Sequence, residues 1–168
     1  MSIERRGNIE RIVKELPGIL DNIANEVAIY FEKEVLDTID SQDGGRWPPL
    51  HPFTIERKGS SQPLKDKGEL YNSITHKIEH KGSVRIIKVG LFGEIAKIGA
   101  VHEFGAEIEV TPKMRAFLHS QGLHLRQSTI KIIIPERSFL RSTLSKKERT
   151  IKDMLRGRLK QELQKYGI

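Results

Sequence analysis

Apolar residues fall at Ile9, Ile12, Val13, Leu16, Ile19, Leu20, Ile23, Val27, Phe31, Val35 and Ile39, in steps of three and four. That spacing puts them on one face of a helix and predicts an amphipathic helix over 9–40. Pro17-Gly18 interrupts the stripe. Proline has no amide donor and clashes with the turn before it, so the helix either begins near Pro17 or kinks there. The uninterrupted stretch from Ile19 to Ile39 would span about 30 Å at ~1.5 Å per residue.

Residues 41–68 hold four prolines and four glycines with almost no periodicity, which predicts an extended loop. A loop of this length inside a compact domain is uncommon and usually functional or partly disordered. The period then changes to two. Ile74, His76 and Ile78 alternate with Thr75, Lys77 and Glu79, Lys81-Gly82-Ser83 supplies a turn, and Val84–Leu91 reads as a second strand of a hairpin. A short helix is expected around Glu94–His102, followed by strands at Glu107–Thr111 and Ile130–Ile134. Residues 112–129 between them read as an excursion with one helical turn around Met114, Phe117 and Leu118.

Pro135 ends the last strand. Ser145-Lys146-Lys147-Glu148 has the form of a capping box. Behind it, Ile151, Met154, Leu155, Leu159, Leu163 and Tyr166 recur at helical spacing, so a C-terminal helix is expected over 145–166. The whole pattern predicts one α+β domain over 1–168. Its four-stranded antiparallel sheet, across 72–134, would pack with a long N-terminal helix and a C-terminal helix.

Composition narrows the classes. A length of 168 residues suits one domain, and the absence of cysteine excludes disulfides, thiol catalysis and Cys-based metal sites. No apolar run approaches the ~18–20 residues of a membrane helix. The opening MSIERRGNIERIVKE lacks a signal-type apolar stretch, so an intracellular protein, or part of a particle assembled inside a cell, is expected. The net charge of +7 is uneven: residues 1–40 carry 5 basic and 9 acidic side chains, and residues 135–168 carry 10 and 4. Such an acidic front and basic tail can attract one another within a subunit or between neighbours, and the tail can also meet nucleic-acid phosphates.

Candidate chemistry is sparse. His76 and His80 have the spacing of a helical zinc pair, but on a strand they lie roughly 13 Å apart. His119 and His124 have no nearby carboxylate to complete a site, and His102-Glu103 opens a zincin-like motif whose second histidine is replaced by Ala106. There is no nucleophile elbow and no glycine-rich phosphate loop. The expectation is a protein that is not an enzyme, with no catalytic, cofactor-binding or metal-binding residues. Trp47, the one tryptophan, either pins the long loop to the domain or anchors a protein contact.

The irregular segments carry a resemblance. They run Gly45-Arg46-Trp47-Pro48-Pro49-Leu50, Thr54, Lys58, Leu64, Gly68, Leu70, Ser73 and Ile74, then Ala100-Val101-His102-Glu103-Phe104-Gly105 and Met114-Arg115-Ala116-Phe117-Leu118. Ile134-Pro135-Glu136-Arg137-Ser138-Phe139-Leu140-Arg141 closes the series. In this order the chain resembles the phage virion morphogenesis, or tail-completion, family of the Mu type. Ser138 departs from it, standing where proline is common, and Val101 is more apolar than the family's usual approach to its His-x-Phe-Gly step.

The resemblance implies a structural protein of tailed phages or prophages that completes the tail or joins head to tail at the neck. It would act as a ring homo-oligomer, expected as a hexamer, with tail tube or terminator and head connector proteins as partners. It implies no cofactor and no membrane, and a place in the virion after assembly in the host cytoplasm. Arg46, Trp47, Pro48, Pro49, Leu50, Arg137 and Arg141 are then the candidate interaction residues, with residues 44–66 reaching a neighbour. His102 and Phe104 are assigned to core packing beside Gly105. The alternative is a basic nucleic-acid-binding protein using its C-terminal helix, across 137–165, with weak DNA contact possible in either case. A lysis hydrolase lacks paired catalytic residues.

Overall fold

The computed structural model describes residues 3–167, with side chains from Ile9 onward. The elements are α1 (Ile3–Asp40), α2 (Gln42–Gly45), α3 (Pro52–Lys58), α4 (Glu69–Asn72), β1 (Thr75–Lys81) and β2 (Val84–Gly90). They continue with α5 (Ile95–Phe104), β3 (Ala106–Glu109), α6 (Pro112–Ser120), β4 (Lys131–Ile134) and α7 (Arg141–Gln164). Two compact units result, one of Met1–Asp37, Ile74–Gly90 and Ser142–Ile168, the other of Thr38–Ser73 and Leu91–Arg141.

In the first unit, Ile12, Ile23, Ala24, Val27, Ala28 and Val35 form the buried stripe of α1. The helix runs through Pro17 and does not begin there. The missing amide costs one intrahelical bond, but apolar burial on both sides, at Ile12 and Ile23, holds the helix in one piece. The β1–β2 register runs from Thr75↔Gly90 to Lys81↔Val84, which sets His76, His80 and Arg85 on one face. That face meets α1. His76 Nδ1 lies 2.6 Å from Glu32, and both His80, at 3.1 Å, and Arg85 reach Asp21.

Basic residues of α7 answer the acidic side of α1. Arg158 donates to both oxygens of Glu26, at 2.7 and 2.6 Å, and Lys147 pairs with Glu34 at 2.8 Å. The charge asymmetry of the sequence is therefore met, at these positions, within one chain.

The second unit buries Ile39, Trp47, Leu70 and Phe139. Residues 41–68, expected as an extended loop, contain two short helical segments. Gln42, Asp43, Gly44 and Gly45 all have positive φ, a single left-handed turn that the two glycines make affordable. Pro52 then starts α3, with the His51 ring accepting from the Phe53 amide at 3.2 Å. Proline at a helix's first position removes a donor that had no partner anyway, so a residue that reads as a breaker here begins a helix. Pro112 does the same for α6, capped by Thr111 Oγ1 on the Met114 amide at 3.1 Å, and the expected single turn becomes nine residues.

One four-stranded sheet does not form. The structure has two separate two-stranded sheets, β1–β2 and β3–β4, the latter in register from Ala106↔Ile134 to Glu109↔Lys131. Alternation tells which face of a strand is inward, but the bonds along its edges come from backbone groups common to every residue. The four strands and the β1–β2 hairpin are legible in the sequence; the separation of β3–β4 into a sheet of its own is not. The C-terminal helix also differs from expectation, starting at Arg141, so Ser145 and Glu148 lie inside it and cap nothing at its start.

Candidate functional site

Three of the irregular sequence segments interlock in the second unit. Trp47 is 8% exposed and donates its indole N–H to the Ser138 carbonyl at 3.3 Å. Arg137, also buried, sends Nε and Nη2 to the Pro48 carbonyl at 3.1 and 2.9 Å, and Nη2 to the Pro49 carbonyl at 3.1 Å. A proline pair supplies carbonyls and no amides, so it needs an outside donor, and the planar guanidinium fork serves both. The Arg137 amide donates to the His102 carbonyl at 2.8 Å, tying in the third segment.

Glu103 is the centre of this knot and is 3% exposed. Its carboxylate accepts from Ser138 Oγ at 2.7 Å and from the amides of Phe139, Leu140 and Arg141 at 2.8, 2.9 and 2.9 Å. Those amides lie where α7 opens and have no intrahelical acceptor, so a side chain from α5 caps them. Burial works against the charged carboxylate, but the Leu140 and Arg141 amides, the Ser138 hydroxyl and the Phe139 amide outweigh it and hold the group below its usual range. Arg141 bonds both Glu103 and Glu136, and its guanidinium sits 4.4 Å from the Phe104 ring centroid.

The expected interaction residues thus divide. Trp47 and Arg137 are spent inside the unit, Arg141 is half-engaged there, and Leu50 lines a cleft; Arg46, Pro48 and Pro49 are exposed. Phe104, assigned to packing, is instead 60% exposed, because α5 turns its Glu103 inward and the next side chain falls outside. His102 is half-buried, and burial together with nearby Arg137 pushes its imidazole below the ordinary value, towards the neutral form. Glu103 itself went unrecognised. Its acceptor role depends on backbone amides more than thirty residues away, which leave no side-chain pattern to read.

The cleft has a volume of about 680 Å³ and is walled by Leu50, Phe53, Leu64, Leu70, Ile95 and Ile98. Around it stand Arg57, Lys58, Lys65 and Lys67. Among the described residues no group of three or more His, Asp or Glu could hold a metal, and no helix is long and apolar enough to cross a membrane. Large apolar side chains lie open on this unit: Ile98, Phe104, Phe117, Ile130 and Ile133.

The buried polar groups of this knot serve the chain's own backbone, so the segments that carry them hold the fold together. The profile of the phage virion morphogenesis family matches residues 7–160, nearly the whole chain, and the chain belongs to that family. No curated protein and no solved structure matches it.

Proposed function

We propose that this chain is the subunit of a ring, a hexamer by expectation, that completes the tail or joins it to the head at the virion neck. The observation that carries the reading is the family match across residues 7–160. The structure adds support in two ways. The segments that carry the resemblance lock together around Glu103 and Arg137, so they secure a fold, and the open apolar side chains of the second unit are available to neighbours. Exposed Arg46, Pro48 and Pro49 would face a tail tube or terminator protein or the head connector.

The test is disruption of the gene in its phage or inducible prophage, with lysates imaged by negative-stain electron microscopy. Separate DNA-filled heads and free tails, rescued by the protein supplied in trans, are expected. Intact infectious particles without the gene would remove the role.

A further inference from the structure

The β3–β4 pair has two open edges whose chemistry is unequal. In an antiparallel ladder, opposed residues alternate between pairs that exchange both backbone bonds and pairs that exchange none. The Val110 amide donates to the Ile130 carbonyl at 2.9 Å. Counting along the register, Ile108↔Ile132 and Ala106↔Ile134 are the bonded pairs. The amides and carbonyls of Glu107 and Glu109 on one edge, and of Lys131 and Ile133 on the other, therefore point outward. No third strand joins either edge among the described residues, and no backbone hydrogen bond takes these groups up.

Side chains distinguish the two edges. β3 presents Glu107 and Glu109, both exposed. β4 presents Lys131 and an Ile133 that is 71% exposed, with Ile130 beside it at 72%. Within the chain Lys131 Nζ already meets Glu107 at 2.7 Å, so among the described residues Glu109 is the strand carboxylate without a basic partner. Two β3 edges would oppose carboxylate to carboxylate, and two β4 edges would leave Glu109 unanswered. A β3 edge against a β4 edge matches opposite charges and covers the isoleucine. On the β1–β2 hairpin the one carboxylate, Glu79, is already paired across the strands with Lys88 at 2.6 Å, and Lys77 and Lys81 leave both edges net basic.

We propose that the β4 edge of one copy takes the β3 edge of a second copy, antiparallel, with Lys131 set against Glu109. The proposal rests on the ring-subunit reading and deepens it by naming the contact. Each such joint repeats the pairing already present within a chain, and it keeps β3 of successive copies running in the same direction. It is heterologous: one edge of each kind stays free at the ends of any open chain, so the series either closes into a ring or grows. Strand addition supplies main-chain bonds, and the charges set the register.

The chain has no cysteine, so Glu109→Cys and Lys131→Cys each introduce one thiol. Both are surface positions, and a wild-type melting temperature for each variant confirms that its fold is kept. The two are supplied separately and together to the gene-disrupted phage, and the particles are oxidised with diamide and run without reductant. A disulfide-linked dimer is expected only when both variants are present. Adding Ile133→Pro to the Lys131→Cys chain should abolish it, because that amide points away from the chain's own ladder. Equal cross-linking of one variant alone would mean a two-fold contact and overturn the pairing. Restored particles with no cross-link would overturn it and leave the joining role standing. Particles that form without the gene would overturn the joining role and the pairing with it.

Discussion

At Glu103 one buried carboxylate satisfies three amides and a hydroxyl. Glu103→Gln keeps the shape but replaces one acceptor oxygen by a donor facing donors. It should destabilise the chain by about 3 kcal/mol, read as a lower midpoint in urea. The sign of the pH dependence follows from the lowered carboxyl. Its contribution is full above the ordinary value of 4.5 and is lost as pH falls through the lower folded value. Wild-type stability should therefore drop on acidification through that window, and the Gln variant should show a shallower acid limb. Gly105 is the second critical position. With φ 71° and an added Cβ 3.0 Å from both the Glu136 nitrogen and the Ile134 oxygen, Gly105→Ala forces two backbones apart. A loss of about 2 kcal/mol or more is expected in the same assay.

At the scale of elements, α7 separates local from distant capping. Ser145-Lys146-Lys147-Glu148 looks like a start signal, yet the helix already runs through it from Arg141. Ser145→Ala should leave thermal stability unchanged or raise it slightly, by about 0.5 kcal/mol at most, because alanine is the better helix former at an exposed interior position. A working cap would instead lose roughly 1 kcal/mol on the same change. The result separates the two directly in a melting curve. α1, the β1–β2 hairpin and the body of α7 were all legible, because each shows its period over many residues. The true start of α7 was not, because its cap comes from α5. The prolines misled for a related reason: Pro52 and Pro112 open helices, and only the neighbouring caps at His51 and Thr111 reveal it.

Across the whole molecule, the single tryptophan reports on the second unit. Trp47 is packed in that unit and bonded to Ser138, so its emission should be blue-shifted when native and move to the red on unfolding. Trp47→Ala should cost about 3–5 kcal/mol, checked by far-UV circular dichroism during denaturation. A contact residue standing free on the surface would cost almost nothing.

Much of the chain's character follows from side-chain order alone. The helical stripes and the strand alternation are properties of sequence spacing, and the match to the phage virion morphogenesis family rests on the sequence as well. Tertiary structure alone decided that β3–β4 stands apart from the β1–β2 hairpin, that Arg137 clasps Pro48 and Pro49, that Glu103 caps α7, and that β3 and β4 keep open edges of opposite charge. The division has one physical cause. Periodicity records which face of an element is apolar, whereas a backbone amide or carbonyl is the same at nearly every residue, and its partner is chosen only when distant segments meet.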